Sequence, residues 1–577
     1  MKRLRKLAQY IATYKRYIFI LFVLVFFQTL SQLYLPTLMG DIVDNGVVVG
    51  NIPYIWKIGA LMLFVAAIGV VMSIGISYYA SHVAMRVGRD IRNDIFTHVT
   101  DFSVHDFAQV GTASLITRTT NDVTQIQQAL VMVLRMFLMA PFMLLGGVLM
   151  AVSKDFMLSL VILFAVPFIA VAIYFIMKKG YPLFQAVQKR LDRLNTILRE
   201  NLTGIRVVRA FAKERAEQKR LQRANENLTD VSITVNRLMA FTMPLMMLLM
   251  NVTIILIIWF GSVRIDVGTM QIGDLMAFIQ YVMLILMALM MASMMFVILP
   301  RASVSAKRIE EVLTMKTSKQ TIGTETLTEP IQTISFQNVA YRYPNAQRNT
   351  LENISFTLEA GKVTAIIGGT GSGKTTLIQL IPRLLEATAG TITVNGKDIK
   401  LIHLDRLREK IGYVPQRALL FSGTVKENVR FGKDNASEEE IVHALQIAQA
   451  DSFVRELDLG YESFIEQGGA NLSGGQKQRL SIARALVRQP QIYLFDDSFS
   501  ALDYETDKKL RHRLLQEASD KIMVIVAQRV STIIDADQII VLDKGRIAGI
   551  GTHKHLSETN DVYKEIITSQ YGKGGIA

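Results

Sequence analysis

Cysteine is missing from all 577 residues of the sequence. That absence excludes disulfides, thiolate metal sites and cysteine nucleophiles, and it is compatible with a reducing compartment without proving one. Charge is scarce as well. Asp, Glu, Lys and Arg make up 19% of the chain, below the roughly 25% of soluble domains. Half of the residues are hydrophobic, on the membrane-protein side of globular averages. The long apolar runs lack a dense set of carboxylates, which argues against proton relays through them. No internal repeat or low-complexity tract is present.

What the chain does have is length. Its 577 residues exceed one ordinary core, so two or more domains are expected. A formal net charge of +14 would suit a nucleic-acid binder, but the basic residues flank apolar runs, which favours a membrane and no nucleic acid. The basic N-terminus, MKRLRKLAQYIATYKRY, precedes a run too long for a signal-peptide core, with no small-residue cleavage site; it reads as a retained first span. Stretches near 17–39, 56–80, 131–153, 156–177, 238–261 and 272–299 are long and apolar enough to cross about 30 Å of hydrocarbon.

The segments 81–130 and 178–237 between spans are long and basic. Arg86, Arg89, Arg92 and Arg118 lie in one, and Lys178, Lys179, Arg199, Arg206, Arg209 and Lys213 in the other. The loop near 40–55 carries Asp41 and Asp44 but no Lys or Arg. Positive residues stay inside, so the N-terminus, both long segments and everything after the sixth span are expected in the cytoplasm. Helical periodicity over 190–221 predicts helices that continue beyond the bilayer. Residues 302–315 read as a helix leaving the membrane and the Thr/Ser-rich stretch 317–330 as a linker. From 331 onward strand-like and helical runs alternate, predicting an α/β domain around a largely parallel sheet. The expected organisation is a transmembrane domain over 1–316, the linker 317–330, and the α/β domain over 331–577.

Chemistry concentrates in that last part. VTAIIG (363–368) reads as a strand, and Gly368 to Thr375 fits G-x-x-x-x-G-K-[ST]. Glycines there let backbone N–H groups curl around phosphates, Lys374 reaches the β/γ oxygens, and Thr375 supplies an oxygen for Mg²⁺. The helix that follows points its positive end at the anion. Asp496, ending the strand-like QIYLF (491–495), is expected as the second magnesium-side group, acting through water. The next residue is Asp497, so LFDDSFSALD (494–503) raises the question whether its second carboxylate reaches a water. Upstream, NLSGGQKQRLSIARAL (471–486) has the form of a Ser/Gly turn capping a basic helix.

That last string also resembles the signature motif of ABC (ATP-binding cassette) transporters, and the resemblance covers the whole chain. Six spans followed by one nucleotide-binding domain resemble a half-transporter of the bacterial multidrug and lipid exporter type. SLITRTTNDV (114–123) and ENLTGIRVVRAFAKE (200–214) resemble its first and second intracellular loops. The resemblance implies a fold of six transmembrane α-helices extended into the cytoplasm, then an α/β P-loop nucleotide-binding domain. It implies ATP and Mg²⁺ as cofactors and an ATPase-coupled translocase. The nucleotide-binding positions it implies are Tyr343 (stacking on adenine), Gly368, Gly369, Thr370, Gly371, Ser372, Gly373, Lys374, Thr375, Thr376, Gln416 and Asp496. Of these, Thr375, Gln416 and Asp496 are implied on the magnesium side. Leu472, Ser473, Gly474, Gly475 and Gln476 are implied to close over ATP held by an opposite subunit, and Asp503 to be the D-loop Asp that communicates between two sites.

Three positions depart from the family pattern. Asp497 stands where hydrolytic sites carry Glu, and losing one methylene withdraws the carboxylate by roughly 1.5 Å, whereas a general base must reach its water. Gln528 stands where the switch segment usually carries His; it can donate a hydrogen bond but cannot take an imidazolium charge. Gln467 stands where exporters commonly place a Glu. With every ATP-binding feature kept, this pattern resembles the degenerate-site subunit of heterodimeric bacterial multidrug exporters. The implied partner is a second half-transporter that supplies the missing Glu and His, and the implied location is a bacterial plasma membrane. A homodimer with two slow sites, a lipid or peptide exporter, and an ATP-gated regulator are the alternatives.

Substrate clues are weaker. Met283, Met287, Met291 and Met295 form a stripe that Met290 and Met294 broaden, and Met243, Met246, Met247 and Met250 recur on the fifth span. Flexible thioethers suit a cavity for hydrophobic small molecules of many shapes, but lipid contact or helix packing explains the same stripe. Gln280 and Asn251 face a wet cavity or bond a neighbouring helix. Arg135 snorkels to the interface or lines the pathway.

Overall fold

The structure, a computed structural model, describes residues 5–315, 323–327, 329–344 and 346–571. Contacts divide the chain into two compact units: one contains the residues up to Thr100 and Val110–Met315, the other Asp101–Gln109 and the residues after Met315.

The described part of the first unit is built from helices. After Arg5–Thr13 come α1 (Lys15–Val47), α2 (Ile52–Thr100), α3 (Thr112–Lys154), α4 (Phe156–Thr203), α5 (Glu214–Asp266) and α6 (Ile272–Thr314). Each contains one of the six expected spans. At 1.5 Å per residue the 49 residues of α2 extend about 75 Å, more than twice the roughly 30 Å of hydrocarbon. Large apolar side chains such as Phe164, Phe168 and Trp259 stand exposed on these helices, as expected where lipid is the solvent. Pro36, Pro167, Pro182, Pro244 and Pro300 lie inside helices, tolerated in spans because neighbours re-satisfy the freed carbonyls.

Polar contacts fix the turns. Asp155 Oδ1 caps α4 by accepting from the Leu158 N–H at 2.8 Å, while its Oδ2 accepts from Arg264 Nε at 2.6 Å. Lys154 pairs with Asp274 at 2.7 Å. Phe278, Tyr281 and Ile285 are fully buried on α6, and Tyr281 shares a 2.5 Å hydrogen bond with Thr37 of α1. Of the methionine stripe, Met283, Met287 and Met290 are exposed, and Met291 and Met295 half-buried; the side chain of Met294 lies outside the described residues. Met243 and Met247 are exposed, whereas Met246 and Met250 pack against the cluster around Ile257 and Tyr281. Arg135, Asn251 and Gln280 are exposed.

The second unit is α/β. Its elements are β1 (Thr333–Tyr341), β2 (Leu351–Glu359), β3 (Val363–Gly368), α7 (Lys374–Leu380), β4 (Ala389–Val394), β5 (Lys397–Asp398), β6 (Ile411–Val414), β7 (Gly423–Thr424), β8 (Phe464–Ile465), α8 (Gly474–Leu486), β9 (Ile492–Asp496), α9 (Tyr504–Glu517), β10 (Ile522–Val526), β11 (Gln538–Asp543), β12 (Arg546–Gly551) and α10 (Asp561–Tyr571), with short helices between them. An antiparallel sheet runs β2-β1-β4-β5, a larger sheet runs β12-β11-β3-β10-β9-β6, and β7 pairs with β8. In the larger sheet only β12 is antiparallel. Every residue of β9 and β10 is buried, which explains their unbroken apolar sequences: a parallel strand covered on both faces has no polar side to alternate.

Of the expected linker, residues 317–322 and 328 lie outside the described residues. Glu325 is held: its N–H donates to the Leu401 carbonyl at 3.0 Å and its carbonyl accepts from the His403 N–H at 2.8 Å. That stretch forms a bridge onto Ile402.

Candidate nucleotide site

Register brings the site together. β10 lies between β3 and β9, and Val526 is level with both Ile366 and Asp496. The carboxyl ends of β3 and β9 therefore open at one edge of the sheet, the usual position for a ligand crevice in an open parallel sheet. A cleft of about 240 Å³ there is lined by Thr370, Gly371, Gly373, Lys374, Thr375, Thr376, Gln416, Asp496, Asp497 and Gln528, together with Thr350 and Val526. A larger cavity of about 800 Å³ opens between α4 and α5, but its walls are apolar apart from Thr253 and the Arg264 already paired with Asp155.

The loop between β3 and α7 depends on glycine. Gly371 and Gly373 have φ of +80° and +99°, and a Cβ on Gly373 would lie 2.7 Å from Leu351 Cδ2. A Cβ on Gly368 would lie 2.2 Å from the Leu542 carbonyl oxygen; nothing crowds Gly369. Lys374 Nζ donates to the carbonyls of Gly368 and Gly369, both at 2.8 Å. Burial pushes the Lys374 ammonium below its ordinary pKa even though Asp497 and Asp496 pull it upward. The Ser372 hydroxyl is buried with no hydrogen-bond partner among the described residues. A partly desolvated cation, an unsatisfied hydroxyl and an open glycine loop are the features a polyphosphate would satisfy.

The carboxylates sit opposite. Asp496 is 1% exposed; its Oδ1 accepts from the Thr375 hydroxyl at 3.0 Å, and Tyr413 points its hydroxyl at Oδ2 from 3.5 Å. Burial raises the Asp496 pKa, and the neighbouring Asp497 raises it further. Burial also pushes the Tyr413 hydroxyl up to about 12, so at neutral pH that group donates. Among the described residues no group of three or more His, Cys, Asp or Glu could hold a metal ion. A magnesium ion here would draw on Thr375 and Asp496, with phosphate and water oxygens completing its shell, the arrangement Mg²⁺ adopts with nucleotides.

Asp497 is placed differently. Its backbone is left-handed, with φ +49°, a conformation Asp tolerates better than most residues. Its N–H donates to the Val526 carbonyl at 2.9 Å, and its carbonyl accepts from the Ser500 hydroxyl at 2.9 Å. The residue is 8% exposed. One oxygen, Oδ2, accepts from both Gln416 Nε2, at 3.1 Å, and Gln528 Nε2, at 2.7 Å. Burial raises the Asp497 pKa, and both amides, Lys374 and Ser500 pull it down. Two glutamines far apart in sequence thus converge on the one carboxylate that departs from the family pattern.

The other expected positions lie elsewhere in the unit. Tyr343 is exposed, meets Tyr341 edge-on with centroids 4.9 Å apart, and shares a 3.1 Å hydrogen bond with Thr376. Ser473 and Gln476 cap α8 reciprocally: the Ser473 hydroxyl accepts from the Gln476 N–H at 3.3 Å, and Gln476 Oε1 accepts from the Ser473 N–H at 2.9 Å. Gly474 is exposed and Gly475 half-buried. Leu472 is buried in the α/β core, so its side chain anchors this turn and does not face solvent. Asp503 is exposed and caps α9, accepting from the Thr506 N–H at 2.9 Å; that bond holds its carboxyl below the ordinary value. Gln467 is exposed. Sequence reasoning did not find Thr350, Tyr413 or Ser500. Tyr413 lies three residues before Gln416, where a polar-tipped aromatic inside a short apolar strand was a usable signal; Thr350 and Ser500 carry none.

Comparison with known proteins agrees with this layout. The family model for the ABC transporter transmembrane region matches residues 18–289, and the one for the ABC transporter matches 351–500. An uncharacterized ABC transporter ATP-binding protein of Mycobacterium tuberculosis is 42% identical over 98% of this chain and 97% of its own length. The ABC transporter ATP-binding protein YfiB of Bacillus subtilis, also uncharacterized, is 39% identical over 99% of both chains. Among solved structures, a bacterial Atm1-family ABC exporter with ATP bound superposes with a TM-score of 0.79 at 24% identity, over 97% of this chain and 99% of that one. Six membrane-length helices and an α/β domain on one chain, matched end to end by such relatives, make this a multi-pass membrane protein of the ABC transporter family, with its ATP-binding domain fused to its membrane helices.

Proposed function

We propose that this chain is the degenerate-site half of a heterodimeric exporter, binding Mg²⁺-ATP in a site that hydrolyses it slowly. The observation that carries this reading is the convergence of Gln416 and Gln528 on Asp497 Oδ2. A general base needs a lone pair aimed at the attacking water and a carboxylate within reach of it. Asp497 is one methylene shorter than Glu, and its outer oxygen is engaged by two amides. Binding is supported separately: Lys374, Ser372 and the glycine loop suit the phosphates, and Thr375 with Asp496 suits the ion. When bound, magnesium would supply charge neutralisation at the phosphates.

The intact turn Leu472–Gln476, ordered by its reciprocal cap, serves ATP held by a partner half, and that partner supplies the Glu and His this chain lacks. The cargo is hydrophobic or amphipathic, a reading supported by the exposed Met283, Met287 and Met290 on α6. The basic segments 81–130 and 178–237 support a cytoplasmic N-terminus and nucleotide-binding domain in a bacterial plasma membrane. The test is to purify the chain from its native membrane and identify what accompanies it. The purified chain is expected to bind Mg²⁺-ATP and turn it over slowly, with turnover and transport restored by a second half-transporter. Vigorous hydrolysis by a verified homodimer would refute the proposal.

A further inference from the structure

The switch segment is held from behind by the last helix. Gln570, on α10, uses both ends of its side-chain amide: Nε2 donates to the Gln528 carbonyl at 2.6 Å, and Oε1 accepts from the Val530 N–H at 2.9 Å. Between those two bonds lies the backbone of Arg529, so residues 528–530 are bracketed by one side chain. The bracket has a rigid base. Ile567 and Tyr563, one and two turns earlier on α10, are buried in the main core, and Tyr563 is tied to His553 by a 2.8 Å hydrogen bond. On the other side Val530 is 1% exposed. The Gln528 side chain projects from the bracketed backbone to Asp497 at 2.7 Å, in the cleft that also holds Lys374. Neither 3.6-residue periodicity nor any phosphate motif singles out Gln570.

We infer that Gln570 is a positioning residue for the nucleotide site: it sets the backbone at 528–530 so that Gln528 faces the terminal phosphate of ATP, and the C-terminal helix is thereby a handle on that site. This rests on the reading above that the cleft holds Mg²⁺-ATP, and adds to it that Gln528, which lines that cleft together with Lys374, lies on the side of the terminal phosphate. A group acting at the terminal phosphate favours ATP over ADP, whereas a group that merely supports the fold affects both nucleotides alike. Residues joined in one hydrogen-bonded chain give non-additive losses when both are removed.

Binding of fluorescent ATP and ADP analogues, with Mg²⁺, to the full-length chain in nanodiscs tests this. Gln570→Ala should weaken ATP binding roughly three- to tenfold, the scale of one or two neutral hydrogen bonds, and leave ADP binding unchanged. Gln528→Ala should do the same, and the double variant should lose no more than Gln528→Ala alone. Gln570→Glu keeps the acceptor for Val530 but sets a carboxylate against the Gln528 carbonyl, so it should fall with Gln570→Ala. An unchanged ATP-to-ADP ratio in Gln570→Ala, or equal losses for both nucleotides, or additive losses in the double variant, would overturn the inference while leaving the reading of Gln528 intact. An unchanged ratio in Gln528→Ala would overturn both.

Discussion

Replacing Asp497 by Glu and Gln528 by His tests directly the proposal that geometry makes hydrolysis at this site slow. The added methylene advances the carboxylate by roughly 1.5 Å, past the point where Gln416 and Gln528 meet it at 3.1 and 2.7 Å. A hydrogen bond to a charged group is worth about 1.5–3 kcal/mol, so removing the Gln528 amide as well takes away the shorter of the two bonds that can follow the carboxylate and leaves only Gln416 to compete with a water. A well-placed general base contributes about 10²–10⁴ in rate, or roughly 3–5 kcal/mol at the barrier. We expect Asp497→Glu alone to raise hydrolysis about tenfold and the double variant about a hundredfold or more. One cost accompanies the change: Glu in the left-handed conformation now held by Asp497, φ +49°, loses about 1 kcal/mol of stability. Single-turnover hydrolysis of γ-labelled ATP by the purified chain in nanodiscs reads the rate, with nucleotide affinity measured in parallel. A double variant that binds Mg²⁺-ATP normally yet hydrolyses it at the unmodified rate would refute the reasoning. Full activation by Asp497→Glu alone would refute the part assigned to Gln528.

Other perturbations follow from the same geometry. Burial raises the pKa of both Asp496 and Asp497, so the unfolded chain releases these protons first; stability falls as pH rises from the ordinary carboxylate range through the raised values, and the loss is complete above them. Asp496→Asn should therefore raise the Tm of the nucleotide-free protein at pH 7 and flatten its acid-side pH dependence in a thermal scan, while abolishing the gain from Mg²⁺-ATP, about 2.7 kcal/mol at a hundredfold excess over Kd. Gly373→Ala forces a side chain onto φ +99° with its Cβ 2.7 Å from Leu351; it should cost about 1–3 kcal/mol and reduce ATP binding tenfold or more by equilibrium titration. In the first unit, Asp155→Ala removes both the cap of α4 and the ion pair with Arg264 and should lower the Tm of the membrane domain, whereas Asp155→Asn, which keeps the cap, should lower it less.

Much of the fold was legible because its signals are local. An apolar run of about 20 residues has few places to go but a bilayer, and all six such runs fall inside membrane-length helices. The strand ending at Gly368 and the buried strand ending at Asp496 were equally plain, because unbroken apolar stretches bounded by glycine and carboxylates leave a parallel strand as the natural reading. The site was legible as a set of motifs. Its convergence was not: Gln416 and Gln528 are separated by over a hundred residues, and no periodicity relates them. Leu472 shows the opposite limit. The resemblance assigned it with its neighbours to a surface over ATP, while packing placed its side chain in the core.

Sequence alone therefore determined that six helices are long and apolar enough to cross a membrane, that a glycine-rich loop follows β3, and which side chains stand at positions 497 and 528. Those follow from composition, hydrophobic length and short-range spacing. Tertiary structure decided what the remaining groups do to one another: that two amides share one oxygen of Asp497, that Thr375 meets Asp496, and that Gln570 on α10 brackets the backbone at 528–530. Such contacts depend on strand register and on how helices dock against the sheet, and a chain of residues encodes them only through the fold as a whole.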